Sequence, residues 1–274
     1  MSTCTDMRID PGAVIHPEAR IDCDIFCAGK GAQIGRCEIV AHVVHIGENT
    51  RIADDVVIDV SGGKTKRSTF RCGPDCLLAR WVYINACQPV VLGEHACLSP
   101  RAMVFTHRYW QSVMEGYSAA FHGVAIGDDA WIGAGSQVMA GVSVGAGSIL
   151  MAGSVAIQNI PDRELWGGVP ATRRAPAGEQ VRSGGWLEDI YLKMVQHADY
   201  QFGTSVHVSL NREHEAIYLS GKKGLGIFLY PGSPTQIRIM PKPDTMDVHQ
   251  LHVLDMVRDV VRRFGIRKVE VCSE

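Results

Sequence analysis

Residues 126–156 read IGDDAWIGAGSQVMAGVSVGAGSILMAGSVA, with an aliphatic residue or alanine at every sixth place: Ile126, Ile132, Val138, Val144, Leu150 and Ala156. A period of six excludes most folds. A helix places apolar residues at i, i+3, i+4 and i+7, and each glycine inside one costs about 1 kcal/mol. A plain strand alternates with period two, whereas Gly-Asp and Gly-Ala steps interrupt this segment before any strand can run long. The same phase appears upstream. Ile15, Ile21 and Cys27 hold one register, Ile34, Val40, Ile46, Ile52 and Ile58 another, then Cys72, Leu78 and Ile84, then Leu92, Leu98 and Val104. It runs from about residue 12 to 161, with breaks at 28–33, 59–71, 85–91 and 105–125.

Short-period self-similarity marks a solenoid. The spacing predicts a parallel β-helix in which each hexad is one short strand plus a corner and three hexads close a triangular coil. Coils of this kind stack about 4.8 Å apart through backbone hydrogen bonds. The sixth-position aliphatic points inward. The place four residues on is small (Ala130, Ser136, Val142, Ser148, Ser154) and fits beside it. Gly, Asp and Asn supply the corners, where backbone angles are awkward for other residues.

Composition narrows the function. The formal net charge is −2 and charged residues are 20 % of the chain, which argues against a nucleic-acid binder. The start MSTCTDMRID carries no signal-peptide pattern, and no apolar run approaches the roughly 20 residues of a membrane span. The nine cysteines include the CxxxC pairs Cys23/Cys27 and Cys72/Cys76, not the CxxC pairs of common zinc modules. They read as small buried thiols of a cytoplasmic protein.

The run VAIGDDAWIGAGSQVMAGVSVGAGSILMAGSVAIQNIPDRELWGGVPATRR combines hexads with a WIG step, a P-D turn and a closing GGVPA segment. In this it resembles the hexapeptide-repeat acyltransferases, most closely the maltose and galactoside O-acetyltransferases and the polysaccharide O-acetyltransferases. The resemblance spans roughly residues 12–176. It implies a left-handed parallel β-helix, a handedness that the pattern alone does not give. It also implies a homotrimer that moves an acetyl group from acetyl-CoA to a hydroxyl of a sugar or related small acceptor, with no metal.

The site is expected where the phase breaks, since loops that leave a rigid scaffold carry function. Val104 and Ile126 are 22 positions apart, whereas three hexads take 18. Acyl transfer to a hydroxyl needs a base for the acceptor's proton, and histidine titrates near neutrality. By resemblance His107, at the family's spacing from Ile126, is that base, acting in a direct ternary-complex transfer. His122 is a second loop histidine, read as an acceptor contact or packing residue. Asn85 matches by position an asparagine that contacts acceptor in the family, although a corner residue is the plain alternative. Tyr109 and Trp110 offer apolar faces to a sugar ring, or to a neighbouring subunit.

The coenzyme contacts implied by the resemblance are Trp131, Ala134, Ala152 and Gly153, along a groove between adjacent β-helices. The closing segment departs from the family. Ile157 and Gln158 stand where a Thr-Lys pair is usual, and Thr172 replaces a lysine, leaving Arg173 and Arg174 to meet the coenzyme's phosphates.

The expected organisation is a tail at 1–11, the β-helix at 12–178 with its loop at 105–125, a linker at 179–185 and a small α+β domain at 186–274. In that domain 186–202 and 246–264 read as helices. VHVSL, AIYLS, GIFLY, QIRIM and RKVEVC read as strands. Three other readings stay open: an N-acetyltransferase, a non-catalytic β-helix scaffold, and a γ-type carbonic anhydrase. The last needs three histidines converging on zinc, and His95, His107 and His122 do not occupy matching hexad positions.

Overall fold

The computed structural model describes residues 3–61 and 63–177, together with five strands between 206 and 271. The chain divides into two compact units, 1–178 and 179–274.

The first unit is a parallel β-helix with three faces. The first face stacks Val14–Ile15, Gln33–Ile34, Arg51–Ile52, Leu77–Leu78, Cys97–Leu98, Trp131–Ile132 and Ile149–Leu150, and Glu164–Gly167 ends it. The second stacks Glu38–Val40, Val57–Asp59, Tyr83–Asn85, Met103–Val104, Gln137–Val138 and Val155–Ala156. The third stacks Val43–Ile46, Thr69–Cys72, Val90–Leu92, Val124–Ile126 and Ser143–Val144. The long strand Arg20–Ala28 pairs with Glu38–Val40 through its first part and with Val43–Ile46 through its last, so it turns the corner between the second and third faces.

The six-residue beat is the inward row of this prism. Ile126, Ile132, Val138, Val144, Leu150 and Ala156 are all at most 2 % exposed. The small row is buried beside them, and its serines are satisfied. Ser136 and Ser148 donate to the carbonyls of Met151 (2.8 Å) and Pro161 (2.5 Å), and Ser154 accepts from the Gly168 N–H at 3.0 Å. A buried hydroxyl left without a partner would cost about 1–3 kcal/mol. Each serine instead ties one coil to the next.

The corners hold more than Gly, Asp and Asn. Trp81, His95, Arg101 and Arg163 also adopt left-handed backbone angles, with φ between 54° and 62°. Such a conformation costs a non-glycine residue roughly 1–2 kcal/mol. Here the N–H groups of His95, Arg101 and Arg163 bond the coil before, as in His95 N–H to Pro74 O at 2.9 Å. Arg80 and Arg101 lie over the Trp81 ring, 5.2 and 5.1 Å from its centroid.

A regular coil takes 18 residues, as between Gln33 and Arg51 or Trp131 and Ile149. The first coil, Val14 to Gln33, takes 19, and three are longer still: 26 residues from Arg51 to Leu77, 20 from Leu77 to Cys97, and 34 from Cys97 to Trp131. All three bulge at the same corner, between the second and third faces, because strand pairing on the faces continues unbroken past them. One edge of the prism therefore collects all three long segments.

One boundary needs correction. Residues 1–11 are not a tail, because Thr3–Ile9 forms a strand parallel to Arg20–Ala28, with Cys4 opposite Cys23 and Ile9 opposite Ala28. It covers hydrogen-bonding groups that the first coil would otherwise leave unpaired. A single strand has no repeat to betray it. The cysteines described are free thiols, five of them buried, and burial pushes Cys37 up to about 12.

The second unit shows strands Val206–Asn211, Ala216–Gly221, Gly226–Leu229, Gln236–Met240 and Lys268–Val271 in that spatial order, antiparallel except for the last pair. The expected helices at 186–202 and 246–264 and the linker at 179–185 lie outside the described residues. Among the described residues no helix is long and apolar enough to cross a membrane.

Candidate active site

The longest bulge is an ordered ribbon. After Val104 the chain buries Thr106, and His107–Arg108 pairs antiparallel with Ala120–Phe121, placing His107 opposite Phe121. Its tip carries a 3-10 turn, Val113–Glu115. Ser112 caps the turn by accepting from the Met114 N–H (3.2 Å), and Gly116 ends it at φ 87°. The chain returns through His122, whose N–H donates to Thr106 O at 2.9 Å, and re-enters the third face at Val124.

His107 is half-buried at the ribbon's base. Its ring stacks on Phe121 (centroids 5.8 Å apart, planes at 16°) and tilts against Tyr109 at 5.2 Å. Tyr109 stacks on Phe121 in turn, at 5.2 Å. His107 Nδ1 lies 2.9 Å from Asn85 Oδ1 and 3.4 Å from Cys87 Sγ. Among the described residues no hydrogen bond reaches Nε2. His107, Tyr109, Trp110 and Tyr117 line a cavity of about 510 Å³.

The bulging edge supports this histidine from the coils before it. Asn85 and Asp59 end successive strands of the second face and are register partners. Asn85 Nδ2 donates to Asp59 Oδ1 (3.2 Å) and to Ser61 O (2.9 Å). The Asp59 carboxylate also receives the Ser61 hydroxyl, the Ser61 N–H and the Tyr83 hydroxyl, the last at 2.9 Å. Burial pushes the Tyr83 phenol up, and the neighbouring Asp59 charge adds to the shift, so Tyr83 stays protonated and donates. Thr106 Oγ1 lies 2.8 Å from Asn85 Oδ1 and accepts from the Gln88 N–H at 3.1 Å.

The expectation for Asn85 is therefore corrected. It is 0 % exposed, and both ends of its amide are engaged within the chain. It touches His107 and cannot reach a bound acceptor. Tyr109 and Trp110 are exposed on the ribbon, Trp110 at 89 %. His122 is also exposed. It stands on the far side of the ribbon base, over Gly141 of the next coil, where its Cβ lies 3.2 Å from the position of an added Gly141 Cβ.

The expected coenzyme contacts lie on other parts of the prism. Trp131 is exposed on the first face, and its Nε1–H donates to Ser99 Oγ at 2.8 Å. Ala134 and the Ala152-Gly153 pair follow first-face strands and stack at the corner between the first and second faces, with Gly153 N–H donating to Ala134 O at 2.8 Å. A Cβ at Gly153 would meet nothing within 4 Å, so the backbone here is open to an approaching ligand. Ile157 is exposed on the His107 edge, just past Val155–Ala156. Arg173 and Arg174 belong to the antiparallel strand Thr172–Pro176 that closes the helix. Arg173 Nε is paired with Glu164 Oε1 at 2.7 Å, and Arg174 Nε donates to Gly167 O at 3.1 Å. Within one chain, His107 and the Ala134/Ala152/Gly153 corner thus occupy different edges.

Sequence reasoning missed Asp59, Ser61, Tyr83, Cys87, Thr106 and Phe121. A signal for two of them was available. Asp59 and Asn85 each follow the last inward residue of a second-face hexad, Ile58 and Ile84, so counting coils aligns them.

Residues 123–156 match the family model described as bacterial transferase hexapeptide (six repeats). Among curated proteins the chain is 28 % identical over 168 residues to mitochondrial gamma carbonic anhydrase 2 of Arabidopsis thaliana, covering 60 % of this chain and 48 % of the relative. The chain thus spans about half the length of the curated relatives it matches. Among solved structures, a hexapeptide-repeat acetyltransferase from Vibrio cholerae O1 biovar eltor, complexed with acetyl coenzyme A, is 25 % identical with a TM-score of 0.42. The match covers 48 % of this chain and 70 % of that one. The polySia-specific acetyltransferase NeuO is 16 % identical with a TM-score of 0.48, over 73 % and 88 % of the two chains. The segment 123–156 thus carries the hexapeptide repeat, and its inward row is buried through successive coils.

Proposed function

We propose that this protein is an acyltransferase that moves an acetyl group from acetyl-CoA to a hydroxyl of a sugar or related small acceptor, with His107 as general base. The observation that carries the reading is His107 itself. It stands beside an aromatic-lined cavity, with one ring nitrogen held by a buried asparagine and the other without a partner among the described residues. In the proposed step Nε2 takes the acceptor's hydroxyl proton as the oxygen attacks the thioester carbonyl. The carbon–sulfur bond breaks, and the proton passes to the leaving thiolate. Transfer is direct, with no acyl-enzyme. Tyr109 and Trp110 supply apolar faces to the acceptor, and exposed His122 borders the same ribbon.

Coenzyme binding along Trp131, Ala134, Ala152 and Gly153 fits the open backbone at that corner. Because His107 occupies another edge, the reading requires a homotrimer in which one copy's His107 edge faces its neighbour's coenzyme corner. Ile157, Arg173 and Arg174 complete the donor site. The test is to mix the protein with acetyl-CoA and a panel of sugars, amino sugars and amino alcohols, and to follow free thiol. Acceptor-dependent release with hydroxyl acceptors is the expected outcome. Release with amines alone makes the enzyme an N-acetyltransferase, and failure to bind coenzyme makes it a scaffold.

The match to gamma carbonic anhydrases favours a second reading. It requires zinc, and among the described residues no three His, Cys, Asp or Glu side chains of one chain are grouped to hold a metal. Stoichiometric zinc after purification, with CO₂ hydration, would favour it over acyl transfer.

A further inference from the structure

We propose that Asp59 and Asn85 are positioning residues that decide which nitrogen of His107 carries the proton. The inference rests on the reading of His107 as general base. It starts two coils away from the imidazole. The Asp59 carboxylate and the Ser61 carbonyl can only accept hydrogen bonds. Asp59 is fixed by donors of its own, namely the Tyr83 hydroxyl, the Ser61 hydroxyl and the Ser61 N–H. Facing two acceptors at 3.2 and 2.9 Å, the Asn85 amide has to present its NH₂ group to them.

The opposite end of the amide is keyed independently. The Cys87 backbone N–H, which can only donate, points at the Oδ1 side from 3.4 Å. A reversed amide would set an oxygen against the carboxylate and the Ser61 carbonyl, and an NH₂ against that N–H. Asn85 therefore offers Oδ1 to His107 Nδ1 at 2.9 Å, and a carbonyl oxygen there requires a proton on Nδ1. In the neutral ring the lone pair is left on Nε2, the nitrogen without a partner among the described residues. Which nitrogen is protonated is set by the bond the other makes, and the wrong tautomer disables a histidine base even when geometry is intact.

The relay also acts in the transition state. When Nε2 takes a proton, Nδ1–H remains bonded to an amide whose other end abuts the Asp59 charge. The imidazolium is stabilised without a carboxylate touching the ring. Stacking on Phe121 fixes the ring plane, and of the two groups that face Nδ1 the amide oxygen at 2.9 Å is nearer than Cys87 Sγ at 3.4 Å.

The experiment reads the tautomer directly. Histidine is labelled with ¹⁵N, and the long-range ¹H–¹⁵N correlations of His107 are recorded above its titration, beside acetyl-transfer kinetics. The unmodified protein is expected to carry the proton on Nδ1. Asn85→Leu should move it to Nε2 and lower kcat by about 10²–10⁴-fold, with the KM for acetyl-CoA little changed. Asp59→Asn removes the charge that keys the amide and leaves only the Ser61 carbonyl and the Cys87 N–H to hold it. It should give a mixture of tautomers, a smaller loss in kcat, and an acidic limb of the pH–rate profile displaced to lower pH. A proton on Nε2 in the unmodified protein overturns the proposal without any variant. So does an Asp59→Asn protein with unchanged tautomer, kcat and pH profile. If His107 is not the base, the spectra still show Nδ1–H while His107→Ala leaves turnover intact, which separates the two failures.

Discussion

At the scale of single residues, His107 and His122 share one ribbon but differ in support. His107 is stacked, half-buried and bonded to Asn85, whereas His122 is exposed over Gly141. His107→Ala is expected to lower kcat by about 10²–10⁴-fold, and His122→Ala far less, measured as thiol release from acetyl-CoA. Near-normal turnover in the first variant would sink the assignment. Two glycines separate space from conformation in the same way. A Cβ on Gly133 would press on the Ala152 backbone nitrogen and on Leu150 O (2.7 Å), both fixed by the next coil. Gly133→Ala should cost about 1–3 kcal/mol by denaturant melting. Gly153 has φ +67° with open space above it, and other corners with φ between 53° and 63° hold Asn49, Asp55, Asp75 and Asp129. Gly153→Asn is expected to leave stability within about 1 kcal/mol, while obstructing acetyl-CoA binding.

At the scale of elements, the prism ends in the hairpin of Glu164–Gly167 and Thr172–Pro176. Glu164 holds it together by accepting from Trp166 Nε1–H at 2.6 Å and from Arg173 at 2.7 Å. The Trp166 hydrogen bond, then the Arg173 guanidinium, hold its carboxyl below the usual carboxylate range. A depressed carboxylate contributes stability above its unfolded pKa of about 4.3 and loses it as pH falls through the folded value. The hairpin should therefore loosen on acidification below about pH 4, read as faster amide exchange at Thr172–Pro176. In Glu164→Gln that acid step should disappear. An acid step of equal size in the variant would refute the linkage.

The elements also show how far the sequence could be read. The inward row was legible in most coils because burial in a narrow prism admits only aliphatic or small residues there, but in the early coils Ala28 and Ile39, not the expected Cys27 and Val40, are the buried residues. The corners were half legible. Asp, Asn and Gly announce themselves, but Trp81, His95 and Arg101 take the same backbone angles, His95 and Arg101 held by hydrogen bonds to the coil before. The phase break pointed to the segment 105–125, and the family resemblance pointed to His107 within it. Asn85 was assigned an outward role because nothing in one coil says that the next will cover it.

At the scale of the molecule, residues 1–178 form a compact unit whose strands stack only on neighbouring coils. A chain ending at Gly178 is expected to melt cooperatively with a β-sheet circular dichroism spectrum and to keep acetyl-CoA binding. Loss of folding in that truncation would make residues 179–274 part of the structural core. The edge that collects all three long bulges is also a whole-molecule property. Bulging at one corner lets the faces stay in register, so Asp59, Asn85 and His107 arrive in adjacent coils although 48 positions separate the first from the last.

What the sequence determined by itself is the solenoid: a six-residue period has one compact solution, and each hexad carries its own inward residue and corner. What only the tertiary structure decided is who touches His107. Residues 26 positions apart, such as Asp59 and Asn85, become neighbours only when coils of unequal length stack. The number of residues that each bulge consumes sets that pairing, and no local preference records it.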